Sequence, residues 1–217
     1  MEITYLGHSS FKIKGKTASI ITDPYFSESV GFHFPKSQSD IVTVSHNHKD
    51  HSASGLVEGD PFVIDFPGEY EIKGTSIFGY PSFHDASSGE KRGNNIIYLI
   101  EIENIKICHL GDLGCLPSTK ILDEISVADI LMIPVGGIMT IGFKEAHEII
   151  KQIEPFVILP MHFKTEDIKQ ETFSKLSTLD DFLKEMGGEN TEKLEKLIIT
   201  KEKLPEETKI VVLERKD

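Results

Sequence analysis

Short runs of apolar residues separated by turn residues fill the first three quarters of the chain. Such runs, bounded by Gly and Pro, are typical of β-strands. Strands are predicted at 2–7, 11–15, 18–24, 40–45, 61–68, 71–80, 95–111, 128–137 and 155–162. The run 95–111 is long enough for a hairpin, which we expect to turn at Glu103 and Asn104. The pattern indicates a sheet-rich protein.

Helical spacing appears only later in the sequence. In 143–153 the apolar residues recur every three or four positions and the run ends before Pro155, which predicts an amphipathic helix. A second helix is predicted in 177–188, where Thr178 and Asp181 can form a capping box. A short third helix is predicted at 191–197 and a last strand at 208–216. We expect an α/β (α+β) protein, with residues 1–217 forming a single domain of two sheets covered by helices.

Composition and charge restrict the function. The chain has 217 residues, of which 39% are hydrophobic and 27% charged, which suits a folded domain with a buried core. Its net charge of −12 disfavours non-specific binding to nucleic acid or to an anionic membrane. There are only 2 cysteines, and neither a secretory signal nor an apolar run of membrane-spanning length is visible, so a cytoplasmic protein is expected.

Candidate metal ligands are concentrated in the segment TVSHNHKDHSASG, residues 43–55. His46 and His48 are two positions apart, so in extended backbone both imidazoles point to the same side. Asp50 and His51 follow at once and can serve a second, adjacent ion. Imidazole and carboxylate without thiolate suit Zn, Fe, Mn or Co in an open catalytic site.

Three further candidate ligands follow apolar strands elsewhere in the chain. They are His84 in FHD, Asp112 in HLGDLG and His162 in PMH. Since strand ends that meet at one edge of a sheet are where such folds place their sites, we expect all of these side chains to converge.

The motifs SHNHKDH, FHD, HLGDLG and PMH, in that order, resemble those of the metallo-β-lactamase-fold hydrolase superfamily. The segments GHSSF, FPGEYEIKG, RGNN, HLGDLG and PVGG are most similar to its small stand-alone predicted Zn-dependent hydrolases, a group that includes ascorbate-phosphate lactonase. The resemblance covers nearly the whole chain. It implies a four-layer αββα sandwich of two similar halves with a dinuclear metal site at one edge.

The resemblance also implies a role for each matching residue. His46, His48 and His84 would bind the first metal, Asp50, His51 and His162 the second, and Asp112 both. Asp23 would orient a ligand from behind, and His8 would lie beside the site. Relatives that share HLGDLG often continue with His, where this chain has Cys115.

The expected function is that of a hydrolase with two divalent ions, zinc first and manganese or iron as alternatives. Two such ions would hold a bridging hydroxide that attacks a small ester, lactone or phosphoester. Asp50 and His162 are the expected catalytic residues, with Asp50 able to accept a proton. Arg92 and Lys164 are candidates for holding an anionic substrate group. Aromatic residues of the loop 24–38 are a candidate substrate mouth, with a dimer contact or ordinary packing as alternatives.

Two other functions remain open at the level of sequence. An iron-bound redox or oxygen-handling protein could use the same fold, although the intact HNHKDH motif and the length of the chain speak against it. A non-catalytic module stabilised by metal is the other alternative, and the presence of all seven ligand positions argues against it. The expected partner is a small molecule, and a homo-oligomer is possible.

Overall fold

The structure is a computed structural model, which describes residues 1–188, 191 and 193–216. The strands are β1 (Glu2–Gly7), β2 (Ser10–Lys14), β3 (Ser19–Thr22), β4 (Ile41–Thr43), β5 (Phe62–Ile64), β6 (Gly68–Ile72), β7 (Thr75–Phe83), β8 (Asn94–Ile102), β9 (Ile105–His109), β10 (Ile130–Pro134), β11 (Val157–Met161), β12 (Lys193–Leu194), β13 (Leu197–Ile198), β14 (Lys209–Ile210) and β15 (Val212–Leu213). The helices are α1 (Ser27–Val30), α2 (Thr119–Ile125), α3 (Phe143–Ile153), α4 (Gln170–Phe173) and α5 (Leu179–Glu185). In the part of the chain described, no helix is both long and apolar enough to cross a bilayer.

Two mixed sheets form the centre of the molecule. The first has six strands in the order β13-β1-β2-β3-β4-β5, and the second has seven in the order β14-β11-β10-β9-β8-β7-β6. Strands β1, β3 and β4 run in one direction in the first sheet, and β7, β9, β10 and β11 share one direction in the second. The carboxyl ends of these strands therefore meet at one edge of each sheet.

Three apolar layers hold the sheets and helices together. The layer between the sheets contains residues from both, such as Ile20 of β3 and Ile107 of β9. A second layer lies between the second sheet and helices α3 and α5, where Ile149 and Phe182 are fully buried. A third covers the outer face of the first sheet and includes Phe173 of α4. The predicted αββα layering is confirmed.

Helices α3 and α5 begin and end where local sequence signals place them. The predicted helix 143–153 is confirmed, since its apolar face is buried and Glu145 accepts a hydrogen bond of 3.1 Å from the Gly142 N–H. In α5, the Thr178 hydroxyl accepts from the backbone N–H of Asp181, whose carboxylate accepts from the Thr178 N–H. Both capping arrangements satisfy backbone donors that the helix itself leaves unpaired.

The hairpin expected at Glu103 and Asn104 is confirmed, with φ of 53° and 61° at the two turn residues. The prediction of one strand over 71–80 was wrong. Lys73 and Gly74 have φ of 50° and 73°, and the chain reverses there to form the β6–β7 hairpin. Positive φ at both central residues matches the twist of adjacent strands, which favours such a turn over a continuous strand.

The chain after residue 190 departs most from the prediction. The short helix predicted at 191–197 was wrong for the described residues of that segment, because Lys193 pairs with Val212 and Leu197 with Ile3 (residue 192 lies outside the described residues). The predicted last strand 208–216 divides into β14 and β15, which belong to different sheets. A helix of so few residues is marginal in water, so pairing with an existing sheet edge outweighs it.

Helix α2, capped by Ser118, was not predicted.

Candidate metal centre

The candidate ligands follow strands that point towards the same edge of the sandwich. His8 follows β1, His84 follows β7 and His162 follows β11. The segment 46–51 begins three residues after β4, and Asp112 lies three residues after β9. Tyr98 of β8 fastens the two sheets here, with its hydroxyl 2.9 Å from the carbonyl oxygens of both Val44 and Ile64. A rigid frame therefore carries the site.

The side chains form two adjacent clusters. In one, ligand atoms of His46, His48 and His84 lie within 4.8 Å of one another. In the other, the same limit holds for His8, Asp50, His51 and His162. The first cluster can surround a cation with three imidazole nitrogens, and the second with imidazole nitrogens and a carboxylate oxygen.

Asp112 lies between the two clusters. Its Oδ2 is 3.2 Å from His51 Nε2, 3.2 Å from His162 Nε2, 3.3 Å from His84 Nε2 and 3.9 Å from His46 Nε2. Burial alone would raise the pKa of this carboxyl, but the neighbouring His162 and His51 imidazoles hold it well below its usual range. Asp112 is thus a buried carboxylate shared by both clusters.

Several buried atoms of this centre have no hydrogen-bond partner among the described residues. They include Nε2 of His46, His51 and His162, and Oδ1 of Asp112. Buried polar atoms are nearly always paired, so a convergent group of unpaired donors and acceptors requires an explanation. Bound cations would supply it, and the residues present fit such ions.

Asp23 orients two of the histidines from behind. Its Oδ2 accepts a hydrogen bond of 2.6 Å from the Ser45 hydroxyl and lies 3.0 Å from His51 Nδ1. Ser45 Oγ also lies 3.0 Å from His46 Nδ1, and because the hydroxyl proton is given to Asp23, His46 must be the donor. Both rings therefore carry their proton on Nδ1 and present Nε2 to the centre.

Burial sets the charge of three imidazoles. It lowers the pKa of His46 to about 3 and the pKa of His84 and His8 to about 4. These rings are neutral at pH 7, and a neutral ring is the form that binds a cation. His51 differs, because the carboxylates of Asp112 and Asp50 outweigh burial and hold its pKa well above the usual range.

His8 is part of the second cluster. Its Nε2 is 3.3 Å from Asp50 Oδ2, and its ring centroid is 4.2 Å from that of His162. The His8 carbonyl accepts the His162 N–H at 2.9 Å, which fixes the two residues relative to each other. His8, Asp23 and His162 all have positive φ, between 39° and 55°. Such backbone strain is concentrated at functional sites in proteins.

Asn95 and Gly111 place Asp112, and neither was singled out in the sequence. Asn95 Oδ1 accepts the Asp112 N–H at 2.9 Å, while its amide group donates to Ser82 Oγ and to the Leu110 carbonyl. Gly111 has φ of 56°, and a Cβ there would lie 2.4 Å from Asn95 Oδ1. The signal was present in the motifs RGNN and HLGDLG, but only the contacts show why they matter.

His109 and Asp85 support the same region. His109 Nε2 lies 2.8 Å from the Ser9 carbonyl and its Nδ1 accepts the Gly111 N–H at 3.2 Å, so both ring nitrogens bond to backbone. The Asp85 carboxylate accepts four backbone N–H groups of the loop after His84, and these hydrogen bonds outweigh desolvation and lower its pKa to about 2. This loop is ordered by one side chain.

Arg92 and Lys164, the predicted substrate-binding residues, are not part of either ligand cluster. Arg92 belongs to the loop that Asp85 orders and is half-buried, and the Lys164 ammonium donates to the Ser174 carbonyl at 2.8 Å. Their role towards a substrate stays a prediction. Burial, and secondly the charge of Asp85, raise the pKa of the Cys115 thiol.

The suggestion that the aromatic loop 24–38 exposes a substrate mouth was wrong for three of its four aromatic residues. Tyr25, Phe32 and Phe34 are buried in the outer apolar layer of the first sheet. Ordinary packing, the alternative weighed for this loop, accounts for them.

Known proteins are similar to this chain in sequence and fold. A family model, the β-lactamase superfamily domain, matches residues 2–162, a stretch that contains all seven candidate ligands. A crystal structure from Thermotoga maritima, provisionally described as a Zn-dependent hydrolase of the metallo-β-lactamase superfamily, is 38% identical, with a TM-score of 0.82 over 99% of both chains. A UPF0173 metal-dependent hydrolase of Thermococcus onnurineus is 28% identical over 76% of this chain and 85% of its own length.

A more distant structure shares the fold alone. An isothiocyanate hydrolase from Delia radicum gut bacteria is 16% identical, with a TM-score of 0.67 over 92% of this chain and 100% of its own. The fold and the two clusters define a metallo-β-lactamase-type protein. The chain belongs to the β-lactamase superfamily, which confirms the resemblance found in its motifs.

Proposed function

We propose that the chain, a metal-dependent hydrolase of this superfamily, works through two divalent cations and cleaves a small ester, lactone or phosphoester. One observation carries the proposal. The unpaired Nε2 atoms of His46, His51 and His162 and the unpaired Oδ1 of Asp112 converge in a buried space between two ligand clusters.

We assign His46, His48 and His84 to the first cation and Asp50, His51 and His162 to the second, with Asp112 shared. The support is the division into two clusters and the distances of 3.2–3.9 Å from Asp112 Oδ2 to imidazoles of both. Nitrogen and oxygen donors without thiolate suit zinc in an open catalytic site, and manganese or iron fit the same set.

When bound, a pair of divalent cations supplies hydroxide at neutral pH and polarises the substrate oxygen. The chain's own residues provide the rest. Asp23 and Ser45 fix the tautomers of His51 and His46, and Asn95 fixes the backbone of Asp112. Asp50 keeps a half-buried carboxylate beside His8 and is placed to accept a proton. We therefore assign Asp50 to catalysis, together with His162. We also propose that the enzyme is cytoplasmic.

Metal analysis of purified variants tests this proposal. The wild type is expected to hold about two zinc ions per chain, His84→Ala and His162→Ala about one each, and Asp112→Ala fewer still. His147→Ala is the matched control, because this histidine lies on α3 and contacts Glu185 instead of the centre. Unchanged metal content in Asp112→Ala and His84→Ala would contradict the assignment.

Turnover separates the alternatives. Hydrolysis of esters, lactones or phosphodiesters by the zinc-loaded protein, lost in Asp112→Ala, would support the hydrolase. Stoichiometric iron with electron-spin signals and no hydrolysis would favour the redox alternative. Bound metal without turnover of any of these substrates would favour a metal-stabilised module.

A further inference from the structure

An open groove of about 770 Å³ lies beside the first ligand cluster. Ser45 and His46, after β4, and Ser82 and Phe83, at the end of β7, are among its lining residues. Its volume is typical of pockets for small ligands, which measure about 300–1,000 Å³. Because His46 is a candidate ligand and His84 directly follows Phe83, the groove is continuous with the metal centre.

Exposed apolar side chains line this groove. Phe66 is 69% exposed, and Phe83 and Val63 are each 39% exposed. Pro67 and Pro81 extend the same surface. Clustered exposed apolar groups of this kind mark places where a ligand or partner is bound.

The turn that carries Phe66 is held in place. The Tyr70 hydroxyl donates to the Phe66 carbonyl at 3.0 Å. On the other side the turn packs against Gly79 of β7, where a Cβ would lie 3.2 Å from the Cα of Pro67. A fixed backbone with an exposed aromatic ring is suited to contact a ligand without a large ordering cost.

The charge of the lining disfavours an anionic ligand. Within the described chain, the only charged side chain that lines the groove is the carboxylate of Asp65, and its other polar side chains are neutral or imidazole. Arg92 and Lys164 are not among the lining residues. A phosphate or carboxylate held away from the metal centre would meet the Asp65 carboxylate and no lysine or arginine side chain among these lining residues.

We propose that this groove binds the apolar acyl chain or ring of an uncharged ester or lactone, with the scissile carbonyl on the side of His46. The inference rests on the proposed hydrolase function and narrows its substrate class. Hydrolysis joins the oxygen of water to the acyl carbon and breaks the acyl C–O bond. An ester gives a carboxylic acid and an alcohol, and a lactone gives one hydroxy acid, so no reactant besides water is required.

A series of p-nitrophenyl acetate, butyrate and octanoate, with p-nitrophenyl phosphate as the anionic probe, tests this with the metal-loaded protein. The value of kcat/KM should rise with chain length, and p-nitrophenyl phosphate should be the poorest substrate. Phe66→Ala and Phe83→Ala should each lower kcat/KM for the octanoate about tenfold, chiefly through KM, with a smaller effect on shorter esters. Ile198→Ala, 67% exposed on β13 at the other edge of the first sheet, should leave every value unchanged.

Binding can be measured apart from turnover, because the chain contains no Trp. Phe66→Trp introduces a single reporter, whose emission should shift to the blue, saturably, with 1-octanol and not with inorganic phosphate. Addition of Phe83→Ala to this variant should weaken the octanol response.

The outcomes distinguish the two proposals. Ester hydrolysis without dependence on chain length, or preference for p-nitrophenyl phosphate, overturns the groove assignment and leaves the hydrolase in place. If neither these substrates nor lactones and phosphodiesters are hydrolysed, the proposed function fails. The octanol titration then decides whether the groove binds apolar ligands. A saturable shift then supports an apolar ligand site, and the absence of a shift overturns it.

Discussion

His51 Nδ1 lies 3.0 Å from Asp23 Oδ2, and both side chains are fully buried. The same carboxylate accepts the Ser45 hydroxyl, through which it reaches His46 in the other ligand cluster. Asp23, which is not assigned as a metal ligand, therefore orients one imidazole of each cluster. Removal of Asp23 should disturb both ligand clusters.

The first prediction concerns this carboxylate. Asp23→Asn keeps the shape of the side chain but replaces one acceptor oxygen by an NH2 group. That group would face either the Ser45 backbone N–H, now on Oδ1, or the Ser45 hydroxyl and His51 Nδ1, now on Oδ2, so a donor meets a donor in both orientations. Zinc affinity is expected to fall by about 10- to 100-fold, as measured by competition with a chelator. Asp40→Asn, at a carboxylate bonded to Ser19 and Lys73 instead of a histidine, serves as control. Equal zinc affinity in Asp23→Asn and wild type would contradict the orienting role.

The second prediction concerns the glycine before Asp112. Gly111→Ala would combine a φ of 56° with a Cβ 2.4 Å from Asn95 Oδ1 and 2.5 Å from Ser45 Cβ. The free energy of unfolding is expected to fall by about 3 kcal/mol, measured by urea denaturation of the metal-free protein. Gly55→Ala is the matched control, because a Cβ there would have no neighbour within 4 Å. A similar small effect of both substitutions would argue against close packing behind Asp112.

The third prediction is a dependence of stability on pH. The hydrogen bonds that Asp40 accepts from Lys73 and then from Ser19 lower its pKa from 3.8 to about 2. A carboxyl whose pKa is lowered by folding stabilises the folded state. This stabilisation is fully present above the pKa of the unfolded state and is lost as pH falls through the folded pKa, here between about pH 4 and pH 2. Because the pair is partly exposed and screened, about 1 kcal/mol is expected.

Unfolding midpoints in urea at several pH values measure this contribution. In Asp40→Asn the loss of stability over that interval should be smaller than in wild type by the same amount. Parallel curves for the two proteins would show that Asp40 contributes nothing through its ionisation.

The fourth prediction concerns the C-terminal segment, which pairs with Tyr5 of β1. The Arg215 guanidinium lies 4.0 Å from the centre of the Phe32 ring and pairs with Asp167, and the Lys216 N–H donates to the Tyr5 carbonyl at 2.9 Å. Arg215→Ala is expected to lower the free energy of unfolding by about 1–2 kcal/mol, measured by chemical denaturation.

The control for Arg215 is Lys36→Ala. Lys36 forms an ion pair with Glu58 in which the side chains are 81% and 53% exposed, so its loss should change stability by less than about 0.5 kcal/mol. If both substitutions had the same effect, the contact with Phe32 would contribute nothing beyond surface charge.

Sequence patterns predicted the regular elements well where local signals are complete. Helix α3 has both a buried apolar face and terminal signals, and its bounds agree with the prediction. The turn at Glu103 and Asn104 is set by two adjacent residues and was also correct. Residues 193–198 were misassigned because their partners, Val212 and Ile3, are far away in the sequence.

By itself, the sequence determined the family, the layered fold and the set of candidate ligands, because metal-binding donor types recur in fixed motifs at the ends of apolar strands. Only the tertiary structure decided how these donors are held. The relay from Asp23 through Ser45, the bond from Asn95 to Asp112 and the place of His8 against Asp50 each join residues distant along the chain. The apolar groove beside His46 is likewise formed by residues at or beside β4 and β5 of one sheet and β7 and β8 of the other, so no local pattern could reveal it.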